Sequence, residues 1–473
     1  MQRDKIVCCE ESILGMYLFH VPIKLALLQI SNLFNLNNMK KIFFFILIGA
    51  GLAACKQDFT NPGAINSSSA FTSPRAMAGV AVGLQNVYTI GRLSPVYTSI
   101  TAAGALTNEF RLMNAGNTDE ANLFIGGSAV DNLNGIVGNM WTWNNKIIFD
   151  ADNVIAGAIL LGDKNFASGL IAYASIYKAL AIGNLAMFFE QIPAAPGTLT
   201  TPALFQTRID GFKRAVATLR AAQTALTASA PSTVFFANVP ASVDLAFFNN
   251  TINALIARYS LFAADYATAI TASNAVAPTY IGSAFAFDVA VVNPIFFNVT
   301  SSNNIYQLLD STFGLPTALA PDLTDMRIPF YTSINATVAP RYRIRGFFTA
   351  ATQSIPIYVS DEMRLIRAEC LVRQSVPNLT AAIAEIDAVR TQMPASDPLG
   401  IGAGTAAYSG TVDAPSLLNE IYRQRCIELC MSGMRLEDSR RFGRPASERK
   451  RNFFPYPNRE RDNNPNTPAD PAN

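Results

Sequence analysis

Hydrophobic residues recur at helical spacing through most of this chain, and that period decides its fold class. Trp143, Ile147, Ala151, Val154 and Ala158 share one helical face. Leu170, Ala174, Tyr177, Ala181, Leu185 and Phe188 share a second, which Pro193 ends, and Ile209, Phe212, Val216, Leu219 and Leu226 a third, ended by Pro231. A fourth runs through Ile252, Leu255, Ile256, Tyr259, Ala263, Tyr266 and Ile270. Shorter stripes pass through Met363, Ile366 and Cys370, through Leu379, Ile383 and Ile386, and through Leu418, Ile421, Tyr422, Arg425 and Leu429. Apolar residues at i, i+3, i+4 and i+7 mark a helix with one buried face. Helices in close succession bury such faces by pairing antiparallel and stacking, as in helical solenoids. The expected fold is mainly α, with tetratricopeptide-like helical pairs over about 140–275 and 355–445. No clean repeat of about 34 residues is readable. A loop-rich insertion is expected at about 277–356, with a few short strands such as Arg341-Tyr342-Arg343-Ile344-Arg345, and a second loop from Pro394 to Pro415.

Lys40-Lys41 precedes the apolar run Ile42-Phe43-Phe44-Phe45-Ile46-Leu47-Ile48, small residues, and Leu52-Ala53-Ala54-Cys55. This is a basic n-region, a short h-region and a small-residue cleavage site. The segment from Ile42 to Ala54 is too short for roughly 30 Å of hydrocarbon, which takes about 20 apolar residues. Leu-Ala-Ala-Cys resembles the lipobox of bacterial lipoproteins. That resemblance implies cleavage before Cys55, lipid attachment there through diacylglycerol and palmitate-type acylation, and a membrane-surface address outside the cytoplasm. Several chains on one cysteine supply the stable anchoring that a single chain does not. A signal peptide begins near its basic residues, so Met39 is read as the start. Residues 1–38 are then an over-called extension, 39–54 the signal peptide, 55–75 a polar tether, 76–457 the folded domain and 458–473 a C-terminal tail.

Composition removes several function classes. The single histidine, His20, precedes Cys55, so the mature chain has no imidazole for Ser-His-Asp or Cys-His catalysis, HExxH chemistry or His-ligated zinc. Five of the 36 basic and three of the 34 acidic residues also precede Cys55, which leaves equal numbers and no basic excess for nucleic acid. Cys370, Cys426 and Cys430 lack a Cys-x-x-Cys spacing and read as buried free thiols. Paired acids and asparagines have calcium-ligand chemistry, but no Asp-x-Asn-x-Asp-Gly loop appears, and no cofactor is expected.

The C-terminal third carries a more specific pattern. Arg423-Gln424-Arg425-Cys426-Ile427-Glu428-Leu429 leads into Gly433-Met434-Arg435 and Asp438-Ser439-Arg440-Arg441-Phe442-Gly443. Phe454-Pro455-Tyr456-Pro457 is followed by Glu460 and Asn464-Pro465; upstream lie Asp325-Met326-Arg327 and Ile386-Asp387-Ala388-Val389-Arg390. Together these resemble the signatures of the SusD/RagB-like lipoproteins, with departures at Gln424, Ser432, Ser439, Phe442 and Asp387 that mark a divergent member. Read from spacing, Arg425 with Glu428 and Arg435 with Asp438 are i, i+3 pairs that meet on a helix surface, and Gly433 permits a close crossing or a helix end. The five are therefore expected to be structural.

The resemblance implies a non-catalytic, surface-facing outer-membrane lipoprotein, a SusD-like α–α superhelix. Such a protein captures glycan or peptide and passes it to a TonB-dependent (SusC-like) transporter. Sugars present flat apolar faces ringed by hydroxyls, so a site needs aromatic platforms and planar polar partners. Tyr88, Tyr97 and Trp141 are the first aromatic candidates, with Tyr306, Tyr331 and Tyr342 behind them. Asn108, Glu109 and Arg111 lie in the early loop where the resemblance places ligand contacts. Trp143, on a helical stripe, is expected in the core. Two other classes remain: a surface polysaccharide hydrolase using two carboxylates, and a helical-repeat adaptor that binds only protein. No G-x-S-x-G or P-loop supports another enzyme class.

Overall fold

The structure is a computed structural model, and it describes residues 71, 73–198, 200–299, 305–335 and 342–472. The 1–38 extension, the signal segment, Cys55 and the tether as far as residue 70 lie outside the described residues. Side-chain caps set many helix starts. Ser73 and Ser94, each followed by proline at the first helical position, open α1 (Pro74–Thr89) and α2 (Pro95–Leu106). After α3 (Thr118–Ile125), Asn134 opens α4 (Gly135–Leu160) and Asp163 opens α5 (Lys164–Phe188). Thr207 caps α6 (Arg208–Ala228), Asp244 α7 (Leu245–Phe262) and Asp265 α8 (Tyr266–Asn274). Then follow α9 (Ser360–Arg373), α10 (Leu379–Thr391), α11 (Ala414–Glu428), α12 (Arg435–Arg441) and α13 (Asn458–Asn463).

The helices stack in chain order. α4 packs on α5, α5 on α6, α6 on α7, α7 on α8 and α8 on α9, while α9, α10 and α11 pack on one another. Connections as short as 161–163 and 263–265 force antiparallel neighbours, which is the tetratricopeptide-like arrangement. α5 lies at the centre. Its most apolar window has a mean hydropathy of 1.4, enough for a membrane span, yet 89% of that window is buried by its neighbours. Two glycines let those neighbours approach. A Cβ on Gly183 would lie 2.3 Å from the Tyr259 ring, and one on Gly169 would lie 2.4 Å from Phe235. A smaller core of Ala368, Val372, Ala382, Ile386, Leu417 and Ile421 joins α9, α10 and α11.

Two expectations need correction. The fourth stripe is two helices: the chain turns at Ala264, whose φ is +59°, and Asp265 restarts it by accepting from the Thr268 N–H at 3.1 Å. Helices also begin earlier than about 140, because α1, α2 and α3 precede α4. In α2 every residue is buried, so no polar face exists to reveal a period.

The insertion contributes to three short antiparallel pairs, one of them with a strand from the early loop. β1 (Arg111–Leu112) pairs with β5 (Tyr306–Gln307), β4 (Ala284–Phe285) with β8 (Ile355–Pro356), and β6 (Thr332–Ile334) with β7 (Tyr342–Ile344). Outside it, β2 (Gln191–Pro193) and β3 (Phe205–Thr207) form a hairpin between α5 and α6, in register Ile192 with Gln206.

Candidate functional site

A groove of about 1140 Å³ opens beside the first half of α4. One wall is α4 itself, the second the connection between β2 and β3 around Pro196, Gly197 and Pro202, and the third α13. Its volume exceeds the ~300–1,000 Å³ that accommodates a drug-sized ligand, so it suits an oligomer.

The walls are held together by bonds between distant segments. Trp141 Nε1 donates to Glu460 Oε2 at 3.0 Å, and Asn464 Nδ2 donates both to Glu460 Oε1 at 2.8 Å and to the Ala203 carbonyl at 3.0 Å. The Asn458 N–H donates to the Asn132 carbonyl at 3.1 Å. Trp141 is wedged among aromatic rings, edge-on to Phe189 at 4.7 Å and to Tyr456 at 5.7 Å, and stacked on Phe205 at 6.0 Å. Residues 458–473, expected as a tail, are thus a structural wall as far as Asp470, which accepts from the Tyr456 N–H at 2.8 Å.

Trp143 reverses its expected role. It is half-buried, lines the groove and makes no hydrogen bond or ring contact within the described residues. The buried face at this end of α4 runs through Ile136, Val137, Met140, Trp141 and Asn144, and Trp143 lies at its edge, beside the groove. The side chains of Asn132, Asn139, Thr142 and Arg459 also line the groove without a partner among the described residues. Flat indole surface and unspent amide, hydroxyl and guanidinium groups therefore face one cavity.

The remaining sequence candidates do not converge there. Tyr97 is fully buried and donates to Glu120 Oε1 at 2.8 Å. Tyr306 is also buried, stacked on Phe110 at 4.5 Å, and Tyr331 donates to the Glu428 carbonyl at 2.6 Å. Tyr88 accepts from Asn184 Nδ2 at 2.9 Å beside an internal cavity of about 80 Å³, and burial pushes its hydroxyl pKa well up. Tyr342 is half-buried on β7. The early loop is divided. Asn108 takes a left-handed turn (φ +59°) and is exposed, Arg111 is exposed on β1, and Glu109 points inward to accept from the Met431 N–H at 2.8 Å. Burial raises the Glu109 pKa, and its second oxygen has no partner. Tyr88, Tyr97, Tyr306 and Tyr331 commit their rings to the core, where each hydroxyl has a polar partner.

The motif residues also pair differently from their spacing. Arg425 reaches across to α12, placing Nε and Nη2 on Asp438 at 2.9 and 3.0 Å. Asp438 also accepts from Arg441 at 2.8 Å, which forks onto Glu369 of α9 through two bonds of 2.8 Å. Glu428 accepts from Arg327 at 3.1 Å, and Arg435 donates to the carbonyls of Cys426 and Phe313 at 3.3 and 3.2 Å. Pairs three apart meet at a helix surface, but these side chains are buried and meet the element opposite. Gly433, at φ +83°, lies against Ser99 of α2, where an added Cβ would sit 3.2 Å from its backbone carbon. Cys370, Cys426 and Cys430 are free and buried. Among the described residues no group of three or more His, Cys, Asp or Glu side chains is placed to hold a metal ion.

No protein-family model matches the sequence, and no curated protein matches it. Solved structures do. A SusD superfamily protein from Bacteroides thetaiotaomicron VPI-5482 superposes with a TM-score of 0.66 at 14% identity, over 84% of this chain and 100% of that one. A SusD-like carbohydrate binding protein from Bacteroides fragilis NCTC 9343 gives 0.63 at 13% identity, over 84% and 99%. A laminarin binding SusD-like protein gives 0.57 at 14% identity, over 86% and 100%. With so few identical residues the shared property is the path of the chain, and on that path, end to end of each neighbour, this protein has the SusD-like fold.

Proposed function

We propose that the protein is a non-catalytic glycan-binding lipoprotein of the outer-membrane surface. It is anchored through Cys55, holds a glycan in the groove beside α4, and delivers it to a TonB-dependent, SusC-like transporter. The observation that carries this reading is Trp143, an indole with no hydrogen bond or ring partner among the described residues, facing a groove among unspent amides. A pyranose ring stacks on such a face, and the amides accept and donate to its hydroxyls. Carbohydrate-binding neighbours of the same fold support a sugar as the ligand class. Hydrolysis by paired carboxylates finds less support, since Glu460 is the one carboxylate in the groove lining and both its oxygens are engaged within the protein.

The test is titration calorimetry of the lipid-free chain against a panel of soluble glycans, for wild type and Trp143→Ala. Loss of a stacking platform at the centre of a small interface removes about 2 kcal/mol, a roughly thirtyfold weakening. The alanine variant should show that loss with an unchanged melting temperature. Equal binding by both proteins would refute the groove. Co-purification of a TonB-dependent barrel with the tagged protein from mild detergent tests delivery; its consistent absence would remove that part.

A further inference from the structure

The groove holds an imbalance of uncommitted polar groups that narrows the ligand class. Of its lining residues only Arg459 and Glu460 are charged. Glu460 is spent: one oxygen accepts from Trp141 at 3.0 Å and the other from Asn464 at 2.8 Å. Arg459 is exposed at the groove wall and makes no ion pair or side-chain hydrogen bond among the described residues. The neighbouring charges are engaged elsewhere. Arg461 pairs with Asp470, Lys146 with Asp150 at 2.7 Å, and Asp462 accepts from Asn458 at 3.1 Å. The opposite wall, around Pro196, Gly197 and Pro202, contributes no charged side chain. Among the described lining residues a ligand therefore meets one uncommitted guanidinium, and a single carboxylate that keeps its charge but has both oxygens hydrogen-bonded within the protein.

Resting on the glycan-binding reading, we infer that the groove selects acidic glycans, whose uronate carboxylate or sulfate ester is held by Arg459 while an adjacent ring lies on Trp143. A guanidinium presents two parallel N–H donors that match either oxyanion, which an ammonium does not. Neutral sugar hydroxyls leave that fork with water.

The experiment uses matched pairs: oligogalacturonate against its methyl ester, and a sulfated galactan oligosaccharide against its desulfated form. Each is titrated into wild type, Arg459→Met and Trp143→Ala at low and at high salt. At low salt the acidic member of at least one pair should bind about fivefold tighter than its neutral partner, the scale of a surface ion pair. High salt should erase that ratio. Arg459→Met should bring it to one, and Trp143→Ala should weaken both members together. A carboxylate-only or sulfate-only preference tells the two sources apart. Neutral members that bind as well as or better than acidic ones, with Trp143→Ala still lowering affinity, would overturn the inference and leave the glycan reading standing. If no member of the panel binds, or if Trp143→Ala changes nothing, both fall.

Discussion

Replacing Arg327 by methionine keeps an unbranched apolar stem and deletes the guanidinium at one of the most enclosed ion pairs among the described residues. The guanidinium is completely buried. It donates Nε to Asp325 Oδ1 at 3.0 Å, Nη2 to Asp325 Oδ2 and Gln424 Oε1 at 2.7 Å each, and Nη1 to Glu428 Oε2 at 3.1 Å. Four charge-assisted bonds at about 1.5–3 kcal/mol each bound the gross interaction at ~6–12 kcal/mol. Removing the ion also removes its own desolvation penalty of several kcal/mol, so the net loss should be the ~3–5 kcal/mol of a broken buried pair. The loss should depend on pH. Burial, with Asp361 nearby, already holds Glu428 well above the usual carboxylate range, and losing the cation raises it further. A carboxyl whose folded pKa exceeds its unfolded value binds more protons in the native state, so its variant weakens as pH rises. Urea unfolding followed by far-UV circular dichroism at pH 5 and pH 7.5 should therefore show a larger deficit at pH 7.5. A loss under about 1 kcal/mol at pH 7.5, or a deficit equal at both values, would refute this account of the clamp.

Asp361 should behave in the opposite sense to an ordinary salt-bridged acid. Burial pushes it up to about 6 against the partial relief from Arg364, so native stability falls as pH rises between about 4 and 6. Asp361→Asn should flatten that fall and stabilise the protein at pH 7 by roughly 1–3 kcal/mol, read from thermal melts across pH; a destabilised variant would contradict it. Glu460→Gln keeps one acceptor for Trp141 or Asn464 but not a charged one for both. It should lower stability by about 1 kcal/mol and red-shift the tryptophan emission, and an unchanged spectrum would count against the wall. Gly183→Ala drives a methyl to within 2.3 Å of the Tyr259 ring. It should cost about 1–3 kcal/mol in a melt, and a neutral result would mean that the α5–α7 contact yields easily.

The stacked helices were legible because each of α4 to α11 keeps an apolar stripe, even α5, whose other faces are covered too. α2 was not, since twelve buried residues of Ala, Thr, Ser and aliphatics carry no polar phase to read. The α7–α8 break had one readable sign, Asp265 three residues before Thr268, a capping pattern overridden by a stripe that ran through it. The motif residues stood out by resemblance, but their partners could not. Arg425 with Asp438, and Arg327 with Glu428, are chosen by which helix lies opposite, and spacing says nothing of that. At the groove the sequence offered Trp141 as a platform and placed Trp143 in the core, whereas both line the groove and Trp141 is the more buried. Periodicity spaces Trp143 with Ile147, but the covered face of α4 runs through Met140 and Asn144, and only tertiary packing fixes the edge of that face.

The bond from Trp141 to Glu460 spans 319 positions, and this bears on the order in which the protein becomes competent. Closing so long a loop lags behind local helix pairing, which forms from neighbours in sequence. The stack can therefore assemble while the groove is still missing a wall. A fragment ending after α8 would keep the helix that carries Trp143 and lack the α13 wall of the groove. On the proposed reading, ligand capture would thus report closure of the groove by the C-terminal segment, and a bound oligomer that touches both α4 and α13 would slow the reopening of that contact.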